Sequence, residues 1–263
     1  MNSIKTVTDE AISFLRDNCS GTHFLVMTSG GKDSIVTTHL AKMSGISFEL
    51  QSTMTGIDPP ELIRFIKRHY PECQFVRPKL SFWHLLTTHN PPGGTGRGIK
   101  WCCTKIKEDP SNKTPNRSRI LGIRAEESNI RVKYSRIDFR ENNGQTLYYP
   151  IFYWNEWHIW EFIKAHNLPY PKLYNHGFDR LGCVICPNHQ NHHDIYRNRW
   201  PNHFKCFERY VNIWWNKRKW QGRDMYHESP QEFLKDWYSG KFYYYKHEKK
   251  ELKIDDRQLK LFE

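Results

Sequence analysis

The chain has 263 residues, 38% of them hydrophobic and 15% aromatic, and a formal net charge of +12. A chain of that length buries a substantial core without disulfide staples, and no apolar run reaches the roughly 20 residues of a membrane span. These properties exclude a disulfide-framed miniature and a transmembrane helix, and they lead us to expect a cytoplasmic protein with no membrane partner. The excess of Lys and Arg over Asp and Glu, 40 against 28, favours a polyanion such as nucleic acid or a nucleotide-rich substrate.

Residues 1–18 read as an amphipathic helix without the apolar centre or cleavage site of a signal peptide. Residues 23–27 (HFLVM) are a buried-strand run, 35–43 a helix and 47–52 a second strand. Asp58-Pro59-Pro60 marks a turn and a helix start, and residues 61–70 carry apolar side chains at helical spacing. Residues 74–77 and 119–123 are further strands. This alternation predicts an α/β fold with a doubly wound, mainly parallel, Rossmann-like sheet.

Residues 90–98 (NPPGGTGRG) are too rich in Pro and Gly for a regular element, so they are expected to form a surface loop and mobile lid, with Arg97 closing over a nucleotide. After Pro150 the character changes. Residues 156–166 read as a helix, 168–174 (LPYPKLY) as an extended stretch, and the chain from 189 onward as helical, basic and loaded with Trp and Tyr. The expected division is a nucleotide-binding domain with the cysteines over 1–187 and a helical, basic extension over 188–263. The charged stretch 246–263 is expected to be partly disordered.

Residues 29–34, SGGKDS, follow the first buried strand and precede a helix. Ser29, Gly30 and Gly31 let backbone N–H groups approach an anion without side-chain interference, and the helix N-terminus adds its positive dipole end. Ser29 and Ser34 offer hydroxyl donors, and Lys32 offers a positive charge. Asp33 would repel a phosphate, so it is expected to bind Mg2+ or cap the helix. The spacing is not that of a Walker loop, and a bare glycine turn with a serine cap is the structural alternative.

With these residues the chain resembles the adenine nucleotide alpha-hydrolase (PP-loop) superfamily. The resemblance is to the branch of phosphoadenylyl-sulfate (PAPS) reductases and the DNA-phosphorothioation sulfurtransferases of the Dnd and Ssp systems. SGGKDS matches its pyrophosphate loop. Thr55-Gly56 followed by Pro60-Glu61 match a DTGxxxPE segment, with Met54 in place of the Asp. Trp101-Cys102-Cys103 with Lys105, then Gly122, Arg124, Glu127, Ser128 and Arg131, match two further segments in order. Residues 150–187, containing Trp160, Tyr174, Gly182, Cys183 and Cys186, match the carboxy-terminal half of the domain.

The resemblance implies ATP held by Ser29, Gly30, Gly31, Lys32, Asp33 and Ser34, with Thr55, Gly56, Gly122 and Arg124 completing the nucleotide site and Mg2+ as counter-ion. Lys32, Asp33, Arg124 and Arg131 are then the catalytic candidates, because guanidinium forks match phosphate oxygens. For both arginines the competing reading is a surface ion pair with Glu126 or Glu127. Lys105 and Lys107 would neutralise a cluster or touch phosphate.

Seven cysteines, an odd number, argue against a disulfide framework. The resemblance brings Cys102, Cys103, Cys183 and Cys186 together, and vicinal cysteines suit a 4Fe-4S cluster better than tetrahedral zinc. Cys19, Cys73 and Cys206 read as buried residues rather than persulfide carriers. Most of Trp200, Trp214, Trp215, Trp220 and Trp237 read as the core of a helical subdomain, with Phe204, Phe207 and Val211 at helical spacing. A basic outer face beside that core suits nucleic acid.

The implied activity is an ATP-dependent sulfurtransferase that splits ATP between the alpha and beta phosphates. Its acceptor would be nucleic acid, specifically DNA, and its partners a cysteine desulfurase and other phosphorothioation proteins. A PAPS or APS reductase is the alternative, against which stands the lack of any cysteine after Cys206 in a Glu-Cys-Gly-Leu-His-type segment. Transfer RNA thiolation shares the adenylation chemistry, and a non-catalytic nucleotide-binding iron–sulfur module is the alternative from another class.

Overall fold

The structure is a computed structural model that describes residues 3–21, 23–93, 101–112, 118–141, 143–187, 193–242 and 244. Arg97 and the stretch 246–263 lie outside the described residues. The chain divides into two compact units, Met1–Pro78 with Lys107–Gly182, and Lys79–Ile106 with Cys183–Glu263. The expected linear division at 187 follows motif order, whereas compactness assigns residues 79–106 to the second unit.

In the first unit, helix α1 (Ile4–Asn18) is capped by the Ser3 hydroxyl, which accepts from the Thr6 amide. Strands β1 (Phe24–Met27), β2 (Phe48–Thr53) and β3 (Gln74–Val76) alternate with α2 (Lys32–Ser44) and α3 (Pro60–His69). After β4 (Ser118–Ile120) come two strands that their short, polar sequences conceal, β5 (Ile137–Arg140) and β6 (Gln145–Tyr148), and then α6 (Glu156–Ala165). The sheet runs β3-β2-β1-β4-β6-β5, parallel throughout except for the antiparallel edge pair β5 and β6. The Rossmann-like α/β expectation holds.

The core is apolar for a simple reason: parallel strands covered by helices must be. Ala11 and Leu15 of α1, Val26, Ile35 and Leu40 of the β1–α2 unit, and Ile159 and Phe162 of α6 form one cluster with Ile120 of β4. Helix α2 begins at Lys32, three residues before the apolar run that announced it, because its N-cap is Gly31 in an extended conformation and its first turn is polar. Residues 168–174 are not wholly extended. Pro171 opens a 3-10 turn over Lys172–His176 that Gly177 closes at φ 83°.

The second unit is helical among its described residues. Helix α4 (Phe82–Leu86) packs on α8 (Pro201–Trp220), which also packs on α7 (His193–Arg199) and α9 (Pro230–Tyr238). Phe204, Phe207, Val211, Trp214 and Trp215 of α8 are buried, as are Phe233 and Trp237 of α9. Residues 91–93 are buried too, so the proline-rich stretch begins inside this unit and not as a surface lid. The Trp237 indole donates to the Pro92 carbonyl at 2.6 Å and the Tyr244 hydroxyl to the Pro91 carbonyl at 2.7 Å. From Trp101 the chain is helical to Asn112, with a π-helical stretch over Cys103–Glu108 followed by α5 (Asp109–Asn112). Among the described residues no helix is long and apolar enough to cross a membrane.

Candidate nucleotide site and cysteine group

Strand β1 lies between β2 and β4, so the connections leaving β1 and β4 part in opposite directions and open a crevice at their carboxyl ends. A cavity of about 730 Å3 occupies that position in the first unit. Ser29, Gly31, Lys32, Asp33 and Ser34 line it from the β1 side, and Gly122, Arg124 and Arg131 from the β4 side.

The turn is held by its own hydroxyls. The Ser29, Gly30 and Gly31 amides donate to Ser34 Oγ, Thr28 Oγ1 and Ser29 Oγ at 3.2, 3.3 and 3.4 Å. The Lys32 amide donates to the Tyr174 hydroxyl at 2.9 Å, a partner 142 residues away. Four successive amides at a helix N-terminus therefore all meet oxygen, as they would on an anion. Gly30 itself faces away from the cavity. Its φ is 75°, and a Cβ there would lie 3.0 Å from Ile66 Cγ1, so its role is the turn.

The cations are buried and paired. Lys32, 4% exposed, donates from Nζ to the Asp179 carbonyl at 2.9 Å and lies 3.8 Å from Asp33 and 3.6 Å from Glu156. Arg124, 3% exposed, donates from Nε to Asp33 Oδ1 at 2.5 Å, binds Glu126 through Nη1 and approaches Glu156 at 3.8 Å. Arg131 binds Glu127 through Nη1. The ion pairs of these arginines with Glu126 and Glu127 are thus present, and they form part of the cavity wall. Burial, and after it the charge of Arg180, pulls the Arg131 pKa below its ordinary value. A guanidinium remains charged nonetheless.

Asp33 is the acceptor of Arg124 and makes no side-chain cap for α2. Thr55 and Gly56 do not line the cavity. They form a turn in which the Thr55 amide donates to Asp58 Oδ2 at 2.7 Å, and it is Asp58 that reaches the cavity wall. Lys107 lines the cavity, whereas Lys105 is exposed in the second unit. Sequence reasoning missed Glu156, Asp179, Arg119 and the bond from Tyr174, which reach the cavity from distant segments. Arg119 carried one signal, a charged residue within a strand run. It is buried and donates to Ser111 Oγ and O at 2.8 and 2.6 Å.

Tyr174→Phe is expected to tighten inorganic pyrophosphate about three- to tenfold, since one competing hydrogen bond for the Lys32 amide is lost. Calorimetric titration checks it, and weaker binding would show that the hydroxyl serves the anion instead.

In the second unit Cys102, Cys103, Cys183 and Cys186 come together. The Cys102 pKa is driven upward first by a hydrogen bond with Cys103, then by burial, and then by the charges of Cys103, Cys183 and Cys186. His193 Nε2 lies 3.0 Å from the Cys186 carbonyl oxygen, and its ring stacks on Trp237 at 5.2 Å. Four thiols sensing one another are the donor chemistry of an iron–sulfur or zinc site. As the side chains stand, however, no three His, Cys, Asp or Glu among the described residues are arranged to hold a metal ion.

Cys19 and Cys73 are separate and buried in the first unit, where burial pushes both thiols up to about 12. A raised pKa disfavours the thiolate, so at pH 8 only about one molecule in ten thousand would carry it at either position. Iodoacetamide is therefore expected to spare Cys19 and Cys73 at pH 8 until the protein is denatured, as peptide mass mapping would show.

A glycine turn at the switch point of a mainly parallel sheet defines an α/β protein of the Rossmann-like class. The profile of the phosphoadenosine phosphosulfate reductase domain matches residues 23–189, and the chain belongs to that family. It is 32% identical over 175 residues to an uncharacterized protein of Methanocaldococcus jannaschii, a stretch covering 62% of this chain and 36% of that protein. A second uncharacterized protein of that organism is matched over 43% of its length, so the chain spans less than half of either. It is 26% identical over 190 residues to the adenosine 5'-phosphosulfate reductase of Allochromatium vinosum, covering 67% of this chain and 73% of that enzyme. The crystal structure of phosphoadenylyl-sulfate reductase from Candida auris, a phosphate complex, shares the fold with a TM-score of 0.52 at 15% identity, over 68% of this chain and 93% of that one.

Proposed function

We propose that the chain is an ATP pyrophosphatase that adenylates an oxygen of nucleic acid, specifically of the DNA backbone, for replacement by sulfur in the cytoplasm. The observation that carries this reading is the glycine turn at residues 29–32, where four successive backbone amides at the start of α2 each meet a hydroxyl oxygen beside the buried Lys32. Such a turn suits the two outer phosphates of a nucleotide and leaves the alpha phosphorus facing the cavity. A substrate oxygen attacks that phosphorus, the bond to the beta phosphate breaks, and pyrophosphate leaves onto Ser29, Gly31, Lys32 and Ser34. A persulfide supplied through a cysteine desulfurase and other phosphorothioation proteins then attacks the adenylated centre and displaces AMP, which departs with the oxygen, and a thiol reductant such as cysteine cleaves the remaining S–S bond to leave one sulfur on the acceptor.

Arg124 and Arg131 steady the charge that develops at phosphorus. Asp33 holds Arg124 in place and is the carboxylate nearest the turn for a Mg2+ that arrives with ATP. Gly122 keeps the β4 connection close to α2. Cys102, Cys103, Cys183 and Cys186 would hold a 4Fe-4S cluster, or zinc in its stead, and a cluster when bound supplies electron transfer and iron–sulfur chemistry.

The test is ATP turnover with Mg2+, duplex DNA, a cysteine desulfurase and cysteine, read as pyrophosphate release and as phosphorothioate in nuclease digests by mass spectrometry. ATP-dependent release of pyrophosphate with sulfur in the DNA is expected, and an intact protein that releases none would sink the proposal. A second reading, reduction of a sulfonucleotide, is favoured by the likeness to the Allochromatium vinosum reductase. Sulfite formed from APS or PAPS with a thiol reductant, without ATP, would establish that reading instead.

A further inference from the structure

Helix α8 is the longest element among the described residues, and it lies wholly beyond the family-matched residues 23–189. One side is the core of the second unit. On the other, Asn202, Lys205, Arg209, Ile213, Asn216 and Trp220 are exposed, at intervals of three and four residues that place them on one stripe. Lys217 and Lys219 flank the stripe, and Arg223 follows it, all three exposed. The single acid of α8, Glu208, is turned to Arg197 and Tyr238 at 2.6 and 3.1 Å. Trp200, Trp214, Trp215 and Trp237 are buried, whereas Trp220 is 88% exposed.

Helix electrostatics account for only part of this arrangement. Cations in a last turn are favoured by the negative end of the helix dipole, which covers Lys217 and Lys219 but falls off within that turn. Lys205 and Arg209 lie about two to four turns earlier, and the dipole gives no reason to leave a Trp in water. A membrane-surface helix would need a broad apolar face, yet the outward stripe has one half-exposed Ile213 and one Trp. Isolated aromatic surface beside a row of cations matches a polyanion that also offers flat rings for stacking. From Lys205 to Trp220 the row is about 22 Å long at 1.5 Å per residue, the rise of about six base pairs.

We infer that the outward stripe of α8 is a docking surface for nucleic acid, with Lys205, Arg209, Lys217 and Lys219 on phosphates and Trp220 stacked on an unpaired base. The inference deepens the reading above and rests on its nucleic-acid acceptor for its biological sense. The test uses the full chain and a fluorescein-labelled single-stranded DNA, followed by anisotropy across a salt series. The same sequence as duplex and as RNA, and phosphatidylserine vesicles, form the other arms.

Trp220→Ala is expected to weaken single-strand binding about tenfold, and Trp220→Phe to restore most of it. The double variant Lys205→Glu, Arg209→Glu should weaken every nucleic-acid arm and lower the salt slope by about 1.4 on single strands. Variants that bind like the wild type, or a wild type that binds the vesicles but no oligonucleotide, overturn the assignment. Pyrophosphate release from ATP, assayed in parallel, separates the two ideas. Turnover that persists without any effect of the α8 variants on binding rejects the surface alone, and loss of binding in a protein that never splits ATP rejects the chemistry alone.

Discussion

Replacing Arg124 by alanine is expected to lower pyrophosphate affinity at least about a hundredfold and to destabilise the fold by about 3 kcal/mol. Breaking a buried ion pair by removing one partner typically costs 3–5 kcal/mol, because the other charge stays behind. Here Asp33, Glu126 and Glu156 would lose their shared partner, with Lys32 left 3.8 Å from Asp33 and 3.6 Å from Glu156. The lower end of the range applies, since Glu126 and Glu156 are about half in solvent and water screens them. That corner would then repel the polyphosphate that the proposed reading places there. Arg124→Lys keeps the charge but loses the planar fork, so it should retain the fold and only part of the affinity. Calorimetry and urea unfolding measure both effects, and wild-type pyrophosphate binding by Arg124→Ala would exclude Arg124 from the site.

Gly122→Ala is expected to be nearly as severe despite adding one methyl group. A Cβ at Gly122 would lie 2.8 Å from the Asp33 carbonyl oxygen, 2.9 Å from its carbon and 2.9 Å from Thr37 Oγ1. Two of those atoms are backbone of the first turn of α2, and the third donates to the same carbonyl at 2.9 Å. None can step aside alone, so α2 must retreat from the end of β4 and take Asp33 away from Arg124. Overpacking of this kind costs about 1–3 kcal/mol, and nucleotide affinity should fall at least about tenfold with it. Adding Thr37→Ala removes only one of the three clashes and should not restore binding. Recovery in the double variant would mean that the hydroxyl, and not the backbone, sets the limit.

The elements that sequence makes plain are those whose burial is local. HFLVM reads as a strand because both faces of a central parallel strand are apolar, and residues 47–52 read as one through the alternation of Phe48 and Leu50 with polar neighbours. The edge hairpin of β5 and β6 did not stand out, since Ile137–Arg140 and Gln145–Tyr148 are short and their pairing is visible only in three dimensions. The start of α2 was obscured because its first turn is polar and its N-cap is a bare glycine. Of the site, the turn at 29–34, Gly122, Arg124 and Arg131 were legible as motifs, and the sheet brings most of them to one cavity. Gly30, Thr55 and Gly56 belong to turns and do not line it. Glu156, Asp179 and Arg119 carry no motif of their own, and the bond that the Lys32 amide donates to the Tyr174 hydroxyl spans 142 residues.

The two cysteine pairs of the second unit come from segments on either side of the first unit's later strands. During synthesis Cys103 leaves the ribosome 183 − 103 = 80 residues before Cys183, a wait of about 4–16 s at 5–20 residues per second. For that interval a vicinal dithiol travels on a nascent chain without its companions. A pulse of oxidant during translation should therefore damage Cys102 and Cys103 far more than the same pulse applied to the finished protein.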